Sequence, residues 1–156
     1  MELLRSMSNA TQESPGPLAE PCIIVIFGAA GDLTKRLLMP ALYNLTCEGL
    51  LPEQFAIIGL AREDFTTADF RARMARELRT FSTRKDFNAD IADNLCKRLH
   101  YLPGEFGDSA AFARLRDLVT KLDAEVGARG NILFYLATPP SVFGLISGNL
   151  DKAGFK

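Results

Sequence analysis

The sequence is short of strong charge imbalance, of histidine, of patterned cysteine and of long apolar runs, and each shortage removes a class of explanation. Eighteen basic residues stand against nineteen acidic ones, for a formal net charge of −1. No overall excess therefore draws the chain to nucleic acid or to an anionic membrane surface. No apolar run approaches the roughly 20 residues that span a bilayer. The three cysteines, Cys22, Cys47 and Cys96, are odd in number and lack CxxC spacing. That argues against a disulfide framework or a zinc site, and they read as reduced, structural cysteines of a cytoplasmic protein. The single histidine, His100, falls on a predicted strand and reads as structural.

The chain of 156 residues, 47% apolar and 24% charged, fits one soluble globular domain. Residues 1–21 are poor in apolar side chains and rich in Ser, Asn, Gly and Pro, so a disordered leader is expected there, with one folded domain over 22–156. Cys22 to Phe27 is an unbroken, β-branched-rich run, the pattern of a strand buried on both faces. After a turn at Gly28-Ala29-Ala30-Gly31, a helical period runs from Leu33 to about Cys47, with Gly49 as its stop. Pro40 lies inside that helix and predicts a kink or a shifted start. Phe55 to Leu60 reads as the second strand, and Thr66 as the cap of a helix to about Thr80 with Asp69 as a partial capping box. A weaker helix follows over Ala89 to Lys97, then a short strand over Leu99 to Leu102. A helix over Ser109 to Val126, a strand over Asn131 to Ala137 and a helix from near Ser141 complete the pattern. Strands alternating with helices predict an α/β, Rossmann-type fold: a doubly wound, mainly parallel sheet with helices on both faces. The pattern stops at Lys156, where such enzymes usually continue to further strands and a substrate domain, so the chain is expected to be part of a longer protein.

The chemistry is concentrated in Gly28-Ala29-Ala30-Gly31-Asp32-Leu33-Thr34-Lys35-Arg36, between a predicted strand and a predicted helix. Two glycines permit a tight turn and close approach of backbone to a pyrophosphate, whose charge the N–H groups at the helix start and the helix dipole favour. An ordinary βα turn remains the alternative, because GxxG by itself is a weak signal. Asp32 is expected to cap the helix and point its carboxylate away from a phosphate. Arg62, just past the second strand, stands where an acidic residue would hold the ribose of NAD; an arginine there suits the 2′-phosphate of NADP. Glu63 beside it leaves NAD open. Arg71, Arg73, Arg76, Arg79, Arg84 and Lys85 form a basic run without stacking aromatics, read as a solvated helix face.

Residues 28–36, continued by Met39-Pro40-Ala41-Leu42-Tyr43-Asn44-Leu45, resemble the N-terminal fingerprint of the glucose-6-phosphate dehydrogenase family. The similarity continues through Gly49-Leu50-Leu51-Pro52 and Gly59-Leu60-Ala61-Arg62, and returns at Phe134 to Pro140. The resemblance implies that Gly28, Ala29, Ala30, Gly31, Asp32, Leu33, Thr34 and Lys35 wrap the pyrophosphate of NADP and that Arg62 holds its 2′-phosphate. It implies further that Ala137 to Pro140, Pro139 included, line the nicotinamide side with Phe143 behind them; the burial pattern alone puts Phe143 in the core. One departure is Leu37, where the family commonly carries a third basic residue. The family oxidises glucose 6-phosphate to a lactone in the pentose phosphate pathway, with a histidine base and a Glu-Lys-Pro motif that would lie beyond Lys156. The chain itself is then expected to hold no catalytic residue, and the full-length protein to form a homo-oligomer. Alternatives are a non-catalytic nucleotide-sensing module or another NAD(P)-dependent sugar oxidoreductase. A short-chain dehydrogenase would need a Tyr-x-x-x-Lys pair, and Tyr43, Tyr101 and Tyr135 are followed four residues later by Cys47, Glu105 and Pro139. A P-loop kinase would need a Gly-Lys-Ser/Thr step, which is absent.

Overall fold

The computed structural model describes residues 20–83 and 85–155. Most of the expected leader, residues 1–19, lies outside the described residues, as do Arg84 of the basic run and Lys156. The first apolar run becomes strand β1 (Cys22–Phe27), buried at every position. Strand β2 (Phe55–Ala61) is equally buried, followed in the chain by β3 (Leu99–Pro103) and β4 (Ile132–Leu136). All pairings are parallel and the order across the sheet is β3-β2-β1-β4.

The alternation of side chains along each strand divides the core into two layers. Ile24, Ile26 and Ile57 face helices α1 (Met39–Cys47), α2 (Thr67–Phe81) and α3 (Ala89–Cys96). Ile23, Val25, Phe27, Ile58 and Leu60 face α4 (Ser109–Val126) and α5 (Phe143–Lys152). A strand covered on both sides has no solvent face, which is why β1 and β2 read as continuous apolar runs. Each fully buried Ile or Phe contributes about 1.5–3 kcal/mol of burial free energy, so this double layer is the main stabilising term. The doubly wound α/β fold is as the sequence pattern predicts.

Local signals account for the ends of the helices. Thr66 Oγ1 accepts the Asp69 N–H at 3.0 Å, Asn88 caps α3 and Asp108 caps α4. Gly49, at φ +69°, ends α1 while the Leu50 N–H returns to the Leu45 carbonyl at 3.0 Å. The irregularity expected at Pro40 takes the form of a π-helical turn over Thr34–Leu38, in which the Met39 N–H reaches back to the Thr34 carbonyl. The wider turn delivers Pro40 to the start of α1, where its missing N–H costs no helical bond. The basic run is less solvated than its composition suggests. Arg71 donates to the Leu99 carbonyl at 2.8 Å, and Arg73 and Arg79 lie over the rings of Phe65 and Phe87. Their long side chains cover apolar surface that would otherwise be wet.

The chain moves from β1 to β2 to β3 in one direction across the sheet, then returns to place β4 on the other side of β1. The loops leaving β1 and β4 therefore diverge at the carboxyl end of the sheet. Such a switch point opens a crevice without any need for a special sequence.

Candidate functional site

That crevice is a cleft of about 430 Å³, within the range of small-molecule sites. Gly28 and Gly31 line it from β1, Arg62 and Glu63 from β2, Glu105 and Phe106 from the loop after β3, and Ala137, Thr138 and Pro139 from β4.

The glycine turn is held from behind. The Gly28 N–H donates to the Leu60 carbonyl at 2.9 Å, the Ala29 N–H to the same carbonyl at 3.4 Å, and the Gly31 N–H to the Gly28 carbonyl at 3.0 Å. Thr34, fully buried, donates its hydroxyl to the Gly28 carbonyl at 3.2 Å. Gly28 has φ +85°, and a Cβ there would collide with the Ala137 carbonyl, so the position needs glycine twice over. Gly59 of β2 is the second such point: a Cβ would stand 2.7 Å from that of Ala29. Once these bonds are made, the N–H groups of Ala30, Asp32 and Leu33 make no hydrogen bond among the described residues. They cluster at a helix start, the arrangement that receives a phosphate.

Asp32 does not cap the helix. The first helical bond runs from the Lys35 N–H to the Gly31 carbonyl, so Asp32 already lies inside the first turn. Its exposed carboxylate pairs instead with Lys35 Nζ at 3.3 Å and lies 3.9 Å from Arg36 Nε. The expected capping bond is not made. Arg36 lies over the Phe81 ring at 4.7 Å, and Leu37 is 59% exposed.

Arg62 is exposed at the end of β2 and has no ion pair or hydrogen bond among the described residues. Its backbone surroundings are fixed: Tyr101, 6% exposed, places its hydroxyl on the carbonyls of Ala61 at 3.2 Å and of Glu63. Burial, reinforced by Glu63 and Asp64, pushes the Tyr101 hydroxyl far above its ordinary pKa, so it stays a donor. Asn149, buried on α5, donates to the Phe106 carbonyl at 2.8 Å and clips the loop after β3.

The opposite wall is apolar. Ala137, Pro139, Val142 and the 49% exposed Leu145 form it, and Thr138 Oγ1 is buried there without a hydrogen-bond partner among the described residues. The residues nominated from sequence separate into groups. Gly28, Gly31, Arg62, Ala137 and Pro139 line the cleft. Ala29 and Thr34 are buried behind it, while Ala30, Asp32, Leu33 and Lys35 continue the turn beyond its lining. Pro140 is exposed in the 3-10 turn Pro140–Val142, and neither it nor Phe143 lines the cleft. Phe143 also belongs to neither core layer, contrary to the expectation from burial pattern. Phe143 is half-buried at the first residue of α5, and Ile146 and Leu150 further along the helix pack on the layer facing α4 and α5 without it. Thr138, within the Ala137–Pro140 segment expected from the resemblance, lines the cleft, while sequence reasoning missed Glu105, Phe106, Leu145, Tyr101 and Asn149. His100 stands outside the cleft lining; burial first, then Arg71, lowers its pKa.

The cleft tests well against a dinucleotide. It offers a glycine cradle that a Cβ would fill, three free N–H groups, an unpaired guanidinium to one side and an unpartnered hydroxyl in an apolar wall to the other.

A family model described as glucose-6-phosphate dehydrogenase, NAD binding domain, matches residues 25–156. A glucose-6-phosphate 1-dehydrogenase of Chlamydia pneumoniae is 42% identical over 151 residues, covering 94% of this chain and 29% of the relative. A glucose-6-phosphate 1-dehydrogenase 2 of Mycobacterium tuberculosis is 42% identical over 137 residues, covering 88% of this chain and 26% of the relative. The crystal structure of a glucose-6-phosphate 1-dehydrogenase from Mycobacterium avium aligns with TM-score 0.70 and 32% identity over 85% of this chain and 27% of that one. A glucose-6-phosphate dehydrogenase in complex with its substrate glucose 6-phosphate aligns with TM-score 0.78 and 28% identity over 90% of this chain and 29% of that one. The chain thus spans less than a third of the length of these relatives.

Proposed function

The chain belongs to the glucose-6-phosphate dehydrogenase family, through its nucleotide-binding domain, and from that premise we propose that residues 22–156 bind NADP for the oxidation of glucose 6-phosphate. The observation that carries this reading is the pairing of a donor-lined glycine turn with the free guanidinium of Arg62 across one cleft. The N–H groups from Ala30 to Leu33 hold the pyrophosphate, with Gly28 and Gly31 allowing its close approach and Lys35 adding positive charge. Ala29 and Thr34 keep the turn in shape from behind. Arg62 takes the 2′-phosphate, where a planar fork of donors matches the phosphate oxygens and distinguishes NADP from NAD. Ala137 and Pro139 form the apolar side that receives the nicotinamide, with Pro140 and Phe143 supporting the segment.

When bound, NADP supplies the acceptor for the hydride leaving C1 of the sugar phosphate. The residues of this chain orient that acceptor and exclude water from one of its faces; none of them is assigned as the base. His100 lies outside the cleft lining, on β3. The same reading places the protein in the cytoplasm, in keeping with free Cys22 and Cys96, whose burial raises both thiol pKa values, that of Cys96 to about 11. It also implies a homo-oligomer for the whole enzyme. No helix among the described residues is long and apolar enough to cross a membrane.

A thermal-shift titration with NADP and with NAD tests the reading. A ligand that binds only the folded state adds about 2.7 kcal/mol at 100 times its dissociation constant. A large shift with NADP, a small one with NAD, and loss of the difference in Arg62→Ala are expected. Equal shifts for the two nucleotides in the unaltered chain would contradict it.

A further inference from the structure

Arg62 is presented by a short segment after β2 that has no helix of its own before Thr67. An arginine on an untethered loop would lose part of its selectivity to the entropy of being held in place. Here the segment is tethered at both sides of Arg62. The peptide unit before it contains the Ala61 carbonyl, which accepts the Gly104 N–H at 2.8 Å and the Tyr101 hydroxyl at 3.2 Å. The carbonyl of Glu63, one residue beyond, accepts the Phe65 N–H at 3.1 Å and the same Tyr101 hydroxyl. One hydroxyl proton is thus shared between the carbonyls on either side of Arg62, with the closer contact to Glu63.

The tyrosine is itself firmly held. Its N–H donates to Thr67 Oγ1 at 3.1 Å, and its ring packs against Phe65 at 5.5 Å and Phe70 at 4.8 Å between centroids. Its backbone stands opposite Gly59 in the β2–β3 register. Tyr101 itself is not part of the cleft lining, whereas Ala61, Glu63 and Gly104, which this set of bonds joins, are.

We propose that Tyr101 is a positioning residue for nucleotide selectivity: its hydroxyl fixes the backbone at Ala61 and Glu63 so that Arg62 is pre-set for a 2′-phosphate. The proposal rests on the reading of Arg62 given above, and adds that selectivity is set from β3, through a residue that never meets the ligand. A ligand contact by Arg62 alone would leave Tyr101 irrelevant to the preference.

The test is a binding titration of NADP and NAD against the unaltered chain, Tyr101→Phe, Arg62→Ala and the double variant, with circular dichroism to follow folding. Phenylalanine keeps the ring packing and removes only the hydroxyl. In Tyr101→Phe the ratio of NADP to NAD affinity should fall by roughly threefold to tenfold, the scale of one net hydrogen bond, while NAD affinity stays put. In the Arg62→Ala background the same change should leave the ratio unaltered, because the tyrosine acts only through the arginine. Parallel loss of both affinities, an unchanged ratio in the single variant, or an equal fall in both backgrounds would overturn the proposal. Should Tyr101→Phe be unstable, the same ratio is read at lower temperature in a stabilising osmolyte, with circular dichroism confirming the folded chain. The unaltered chain separates the two levels: no NADP preference there refutes the Arg62 reading itself, whereas a preference that survives Tyr101→Phe refutes only the positioning role.

Discussion

The two walls of the cleft are built on different principles. One, from Gly28 to Leu33 with the Arg62 segment, presents main-chain donors and the Arg62 guanidinium, and is pinned by hydrogen bonds to the Leu60 carbonyl and from the Thr34 and Tyr101 hydroxyls. The other, Ala137 to Pro139 with Val142 and Leu145, presents apolar carbon and one unpartnered hydroxyl. Polar recognition needs groups held to within a fraction of an ångström, because a hydrogen bond weakens steeply with geometry. Apolar contact tolerates more, since burial is non-directional. On the proposed reading, the pinned wall is accordingly expected to set selectivity and the apolar wall general affinity.

The largest expected effect comes where the walls touch. Gly28→Ala puts a methyl group into the Ala137 carbonyl at a positive φ, and should cost about 2–4 kcal/mol of stability and abolish binding of both nucleotides; denaturant melts and titration read the two losses. Arg62→Ala breaks the pinned wall alone. It should weaken NADP by roughly tenfold to a hundredfold, leave NAD within about twofold and leave the melting temperature unchanged. Thr34→Val removes the hydroxyl behind the turn without changing its bulk, and should lose about 1 kcal/mol of stability and weaken both nucleotides alike. Leu145→Ala on the apolar wall should weaken both by less than about threefold, equally, because the residue is already half exposed. Unequal losses there would break the division of labour between the walls.

A control for both walls is pH. His100 has a folded-state pKa below its ordinary 6.5, because burial and then Arg71 disfavour the charged ring. The unfolded chain therefore binds the proton more readily. The stabilisation is fully present above about pH 6.5 and is lost as pH falls through the folded-state value. Melting temperature should drop over that window and the drop should shrink in His100→Gln, with no change in nucleotide selectivity.

Much of this was legible in the sequence wherever the signal was local. The β-branched run at Cys22 to Phe27, the GxxG turn, the Thr66 cap and Gly49 all report on neighbours a few residues away, and each predicts its element. Asp32 was one residue too late to cap because the first helical bond already ends on the Gly31 carbonyl. Phe143 has core composition but stands at the very start of α5, outside both core layers. The pins were invisible for a different reason: Tyr101 meets Ala61 across 40 residues and Asn149 meets Phe106 across 43, contacts that exist only once β2, β3 and α5 are in place. β4 shows the same limit, since ILFYL is as apolar as β1 yet is buried only at Tyr135, its position at the sheet edge being a matter of topology.

The most direct test of the cleft as the dinucleotide site is the amide spectrum of the isotopically labelled chain titrated with NADP. The N–H signals of Ala30, Asp32 and Leu33, with those of Arg62 and Thr138, should move together and saturate at one dissociation constant. Shifts confined to the opposite end of the sheet, around Arg129 to Asn131, or no shifts on a folded chain, would contradict the assignment.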